Sequence, residues 1–255
     1  MGANLVQPTS VEDQIALKVM DEKTRFVDGH YEVPMLWHDP ACVLPDNRAA
    51  AEKRFTTLTK KLSRDPVFES RYCSTMQGYI DKEYARKMDP DEINNTRDRT
   101  WYLPHHSVIN PKKPEKVRVV FDAAATYRGT SLNNALLTGP DLLNSLFGVL
   151  QRFRTKPIAI VGDITDMFYQ VKVPPQDSDS LRFLWKDNIK SNGAPDVYKM
   201  DVHIFGAKDS PCCANYALRR VASDVVSSSE ILKHAILNNF YVNLAGPDLT
   251  FEMCA

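Results

Sequence analysis

The sequence predicts an α+β fold, with strands and helices mixed without regular alternation, on three observations. Near residue 100 the chain changes from helical, proline-punctuated segments to strand-rich ones. A basic hairpin over 101–122 is followed by an almost wholly apolar stretch, Pro157 to Asp163, with the length and flanks of a central buried strand. A long helix opening at Pro211 then precedes a last short strand, Asn238 to Asn243.

The elements follow in order. Val11 to Thr24 reads as a short helix. From Phe26 to Asn47 the chain alternates and breaks at Pro34, Pro40 and Pro45, which gives extended segments and turns. Asn47 is placed to cap a helix from Arg48 to Leu62, with Phe55, Leu58 and Leu62 as its apolar stripe. Lys53, Arg54, Lys60 and Lys61 form its solvated face. Pro66 to Lys87 reads as a second helix, and polar Asp89 to Arg99 as a linker. The division expected is therefore a helical and extended leader, 1–95, ahead of a body, 96–255. In the body, Trp101 to Val108 and Val117 to Asp122 are strand-like and flank a turn-rich loop, Asn110 to Lys116, with a positive tip. Leu142 to Phe153 has helical spacing, Phe183 to Trp185 is a strand, and helices cover Pro211 to Ser227 and Ile231 to Leu237.

Bulk properties exclude some classes. The 255 residues carry 32 basic and 32 acidic side chains, which argues against a polycation that coats nucleic acid but leaves room for a local basic groove. No run approaches the roughly 18 apolar residues of a membrane span. The first residues lack the pattern of a secretory signal, so an intracellular, cytoplasmic location and no membrane partner are expected. Cys42, Cys73, Cys212, Cys213 and Cys254 are odd in number and include no CxxC pair. Their spacing fits neither a cysteine zinc cluster nor a disulfide framework, and they read as reduced thiols.

Three features can carry chemistry. Asp163 stands at the end of the apolar stretch, and Asp166 follows in GDITDMFYQV. Carboxylates there can ligate Mg²⁺ for in-line displacement at phosphorus, or can simply cap a helix. Arg118 lies on the second hairpin strand with Lys112, Lys113 and Lys116 around the turn; Asp122, four residues on, can orient it. Such a hairpin can fold over a triphosphate or be an ordinary surface hairpin. Phe205-Gly206-Ala207-Lys208-Asp209-Ser210-Pro211 either approaches a nucleotide closely or only starts a helix.

The order of these features is more specific than any one of them. FVDGHYEV (26–33), LPDN (44–47), WYLPHHSVINP (101–111), KVRVVFDAAA (116–125), GTSLNNALLTGPDLLNSLFGVLQRFR (129–154), VGDITDMFYQV (161–171), RFLW (182–185), VHIFGAKDSPCCANYALRR (202–220) and NNFYV (238–242) together resemble a reverse transcriptase. More narrowly, they resemble the polymerase of BEL/Pao-type retrotransposons, from about Phe26 to Val242. The resemblance implies interleaved fingers (about 96–155 and 172–205) and palm (about 156–171 and 206–255), with a small antiparallel palm sheet backed by helices. It implies template–primer and deoxynucleotides as partners, with Mg²⁺ or Mn²⁺ as cofactor. Asp163 then matches the first catalytic aspartate, with the Ile164 backbone beside it at the metal. Phe168 matches the aromatic gate against a ribose 2′-hydroxyl. Arg118 and Lys113 match the fingers residues on the incoming triphosphate, and Phe205 and Gly206 flank the nascent base pair.

The pattern then departs from the family. Tyr-Val-Asp-Asp is expected, and the chain reads Tyr241-Val242-Asn243-Leu244, so the second half of the metal site is degraded. The family pattern stops after Val242, which reads as a frameshift, an altered splice junction or a truncated reading frame within the palm, with the thumb absent. Asp248, beyond Gly246-Pro247, lies too far along to replace the lost carboxylates. His105 and His106 are expected on the hairpin in structural or template-adjacent roles. Three readings of the molecule remain at this stage: an impaired RNA-directed DNA polymerase domain, a non-enzymatic nucleic-acid-binding remnant, and a fragment without function.

Overall fold

A computed structural model describes residues 10–111, 113–155, 157–158, 161–224, 229–242 and 251–253. The chain is α+β, with helices packed on small antiparallel sheets. Helix α1 (Val11–Lys23) leads into the hairpin β1 (Arg25–Val27) and β2 (His30–Glu32). Helices α2 (Arg48–Leu62) and α3 (Pro66–Asp81) follow, then β3 (Ala85–Lys87) and the short α4 (Pro90–Asn94). A second hairpin comprises β4 (His105–Asn110) and β5 (Lys113–Phe121). After α5 (Leu132–Ala135) and α6 (Leu146–Phe153), a 3₁₀ turn at Met167–Gln170 and α7 (Pro175–Ser178) lead to β6 (Arg182–Trp185) and β7 (Asp196–Met200). Helices α8 (Ser210–Asp224) and α9 (Glu230–Asn239) precede the hairpin β8 (Phe240–Val242) and β9 (Phe251–Met253). No helix among the described residues is long and apolar enough to cross a membrane.

Several expectations change here. The second helix ends at Asp81, because Glu83 takes a positive φ and the chain turns into β3, which pairs with β7. β7 itself gave no clear signal, since it carries Asp196 and Lys199 among its apolar residues. The hairpin ladder runs further than its sequence suggests, reaching Asn110 opposite Lys113, so the loop is short and Lys113 lies on a strand. Proline is tolerated at position 114 because both strands of this two-stranded sheet are edges. The helix expected from Leu142 begins at Leu146, where Ser145 accepts from the Gly148 amide.

The largest difference concerns Pro157 to Asp163. The described part of this stretch is not a strand, and Ile158 and Val161 are 73% and 57% exposed. A strand needs a neighbour to take its backbone hydrogen bonds, and β8 is paired with β9 instead.

Two apolar clusters hold the chain together. The larger joins α2, α3, β5, β6 and β7 through Phe55, Tyr72, Phe121, Phe183 and Tyr198. Residues from before and after position 95 share it. The smaller joins α1, β2, the 167–170 turn and α8 through Met20, Tyr31, Phe168 and Cys213. Asn47 does not cap α2 through its side chain. Its buried amide instead donates to the Tyr102 carbonyl and accepts from the Tyr102 amide, both at 2.8 Å. Cys212 and Cys213 are buried, and Cys42 and Cys73 are partly so; Cys254 lies outside the described residues.

His105 is structural, whereas His106 is exposed. The His105 ring is buried among Phe55, Phe121, Phe183 and Trp185. Nε2 lies 2.9 Å from the Leu184 carbonyl, which can only accept, so Nε2 carries the proton and Nδ1 accepts from the Tyr72 hydroxyl at 2.5 Å. Burial pushes its pKa down to about 4. A histidine neutral in the fold but free to charge when unfolded loses stability as pH falls, here between about 6.5 and about 4. The loss by pH 4 should be on the order of 3 kcal/mol. Urea unfolding at a series of pH values should show this fall in the native protein and a shallower one in His105→Gln; equal slopes would refute the assignment.

Candidate active-site cavity

Three segments distant in sequence meet around one cavity of about 880 Å³. The first wall is α3. Ser70, Ser74 and Gly78 recur every fourth residue, so they stack on one helix face, and Lys82 continues that row just past the helix end. The second wall is the hairpin, from which Val108 and half-buried Arg118 stand opposite one another in the ladder. The third is the stretch from Asp163 to Met167, with Phe205 and Gly206 closing the end.

The acidic edge contains two unlike carboxylates. Asp163 is exposed at the cavity rim. Asp166 sits in the left-handed backbone region at φ 54°, a conformation aspartate tolerates better than most residues. It precedes the 3₁₀ turn without capping it through its side chain. Instead its carboxylate accepts from Lys82 Nζ at 2.6 Å and from the Tyr84 hydroxyl at 3.4 Å. The hydrogen bond to Asp166 holds the Lys82 ammonium above the usual lysine range. Because Lys82 is more than half exposed, this pair positions charge rather than adding much stability.

Below the acidic edge lies an aromatic layer. Phe168 packs on Phe205 at 4.5 Å between ring centroids, and Tyr169 meets Phe205, Tyr79 and Tyr84 at 5.7, 5.2 and 5.1 Å. The Tyr169 hydroxyl donates to that of Tyr79 at 3.3 Å. Burial raises the pKa of both phenols, which stay protonated.

Gly206 joins two of the walls. Its φ is +115°, and a Cβ built on it would lie 2.1 Å from the Phe121 carbonyl oxygen at the end of β5. Asn133 fixes the same turn, donating to the Gly206 carbonyl and accepting from the Lys208 amide, both at 3.0 Å.

Of the residues singled out in the sequence, Arg118, Asp163, Ile164, Phe205 and Gly206 line this cavity together. Phe168 does not; its ring is buried behind Phe205, which presents the aromatic face instead. Asp122 lies past the end of β5 and makes an ion pair with Arg54 at 3.1 Å. Lys113 is placed on β5, but its side chain lies outside the described residues, as do Lys112, Asn243, Leu244 and Asp248 altogether. Lys82, Tyr79 and the α3 face were missed; the four-residue recurrence of small side chains before Lys82 was the signal for them.

No family model matches the chain, and no curated protein matches it. Among solved structures, it is similar to a foamy viral protease–reverse transcriptase in complex with double-stranded DNA, at 13% identity and a TM-score of 0.44. That similarity takes in 61% of this chain and 24% of the other, so the chain spans about a quarter of that protein's length.

Gly206→Ala should be strongly destabilising. A left-handed alanine alone costs roughly 1–2 kcal/mol, and the overlap with Phe121 forces the hairpin off the turn. Thermal unfolding should show a clear loss for Gly206→Ala. The same substitution at Gly78, whose Cβ would meet nothing within 4 Å, should leave the melting temperature unchanged or raise it. Equal effects at the two positions would contradict the close approach.

Proposed function

We propose that this chain is a reverse-transcriptase-type polymerase domain, of the BEL/Pao retrotransposon kind, with impaired catalysis. The observation that carries the reading is the meeting of Arg118, Asp163, Phe205 and Gly206 around one cavity. They come from sequence segments more than forty positions apart. They supply a guanidinium fork for phosphate, a carboxylate for a divalent ion, an aromatic face and a backbone open to close approach. The fingers and palm division, and the partners template–primer and deoxynucleotides, belong to this reading.

Hard oxygen donors suit Mg²⁺ or Mn²⁺, which when bound would stabilise charge on the transferring phosphate. Asp163 and the Ile164 backbone would hold it. Asp166 is engaged by Lys82, and Asn243 and Leu244 replace the two further carboxylates. A unit charge at about 4 Å, with an effective dielectric near 20, is worth about 4 kcal/mol. Losing one ligand therefore slows the chemical step by roughly a thousandfold. In this chain Arg118 orients the triphosphate while Phe205 and Gly206 bound the base-pairing space.

A primed RNA template, deoxynucleotides and Mg²⁺ or Mn²⁺ test the proposal. The chain as it stands should extend primer at the limit of detection. Asn243→Asp with Leu244→Asp should raise extension by at least about a hundredfold, on the charge argument above. That gain should vanish on adding Asp163→Asn. Robust extension by the native chain that survives Asp163→Asn would overturn the assignment.

A further inference from the structure

Behind the Gly206 turn lies a second cluster of chemistry-bearing side chains, separate from the cavity. One ring nitrogen of His203, one carboxylate oxygen of Asp209 and Cys213 Sγ all lie within 4.8 Å of one another. The three residues are 1%, 0% and 0% exposed. Asp209 and Cys213 are four apart, the second a turn along α8 from the first, and His203 approaches from the preceding loop.

The hydrogen bonding leaves donor atoms over. His203 Nε2 lies 3.0 Å from the Val33 carbonyl, an acceptor only, so Nε2 carries the proton and Nδ1 keeps the lone pair that a metal needs. Asp209 Oδ2 accepts from the Leu36 amide at 3.1 Å, whereas Oδ1 is buried with no partner. A carboxylate oxygen buried without a partner is costly to leave so. Ser210 Oγ is likewise buried without a partner beside it. Cys213 Sγ has only a weak contact to the Pro34 carbonyl at 3.8 Å.

We propose that His203, Asp209 and Cys213 form a zinc site, with water in the fourth position. The mixed nitrogen, oxygen and sulfur donors suit Zn²⁺, and a modest side-chain adjustment from within 4.8 Å of one another would bring them onto a shared ion at bonds of about 2.0–2.3 Å. Charge supports it. One divalent cation with one carboxylate and one thiolate is neutral, so the assembly can be buried whole. The ion would bracket Phe205 and Gly206, with a ligand before them and two after.

Cobalt titration of the purified full chain tests this. One Co²⁺ per chain should bind with a thiolate-to-cobalt charge-transfer band and tetrahedral visible bands, and Zn²⁺ should displace it. Cys213→Ser should lose the charge-transfer band, and Cys212→Ser should keep it. Zn²⁺ should raise the melting temperature of the native chain and of Cys212→Ser. Absence of the band in the native chain, or its survival in Cys213→Ser, overturns the site. If Cys213→Ser does not fold, X-ray absorption of the zinc-loaded native chain decides. A shell with one sulfur and lighter neighbours is expected, and one with no sulfur, or with several, is the contrary result.

Discussion

The extended segment Val33–Trp37 is the constraint around which the rest of the structure is arranged. It is buried yet belongs to no regular sheet, so its backbone groups must find partners elsewhere. Asp177 accepts from the Met35 amide at 3.1 Å and the Trp37 indole at 2.8 Å, and Asp209 accepts from the Leu36 amide. His203 donates to the Val33 carbonyl, the Lys172 carbonyl accepts from the Val33 amide, and the Leu36 carbonyl accepts from Leu137. Side chains and backbone from four later parts of the chain thus close on one strap. Arg99 balances the charge of Asp177 at 3.2 Å, and its guanidinium lies over the Trp37 ring.

That strap ties the smaller apolar cluster to the larger, and the Gly206 contact ties both to the hairpin. Met35 and Trp37 belong to one cluster and Leu36, on the opposite side of the extended segment, to the other, as alternation requires, and Val33 joins Leu36 there. The loop from Val202 to Asp209 is held at His203 and Asp209 by the strap, and at Gly206 by Phe121. Phe205 therefore reaches the cavity from a loop fixed at both ends. A loop so fixed can hold a functional side chain nearly as well as a regular element can.

The parts legible in the sequence were those governed by local rules. Helix α2 occupies the span set by Asn47 and the Phe55, Leu58 and Leu62 stripe, and α1 and β6 lie within a residue of expectation. What was hidden depended on partners far along the chain. Pro157 to Asp163 has the composition of a buried strand, but composition cannot supply a neighbouring strand, and β8 pairs with β9. Asp177, His203 and Asp209 read as ordinary polar residues because what they satisfy is a backbone 142 to 173 positions away. Cysteine spacing addressed only cysteine pairs, so it was silent about Cys213 beside a histidine and an aspartate. Lys82 was likewise invisible until Asp166 came within 2.6 Å of it.

The charges around the cavity bear on what an impaired polymerase would retain. Among the described residues that line it, Arg71, Lys82 and Arg118 stand with Asp163, Asp166 and Glu115, three cations and three carboxylates. In a complete two-metal site, extra carboxylates make the pocket hostile to phosphate until divalent ions neutralise them. On the proposed function, Asn243 and Leu244 in place of carboxylates would bring no such charge, so the repulsion that metals would have to offset would be smaller. Chemistry and binding would, on that proposed function, part company: the two-ion step would be lost, whereas attraction of a polyphosphate or a nucleic-acid backbone to Arg118 would depend less on metal than in an intact site. Weak, salt-sensitive and metal-tolerant binding to primer–template is the behaviour this charge balance would favour on the proposed function.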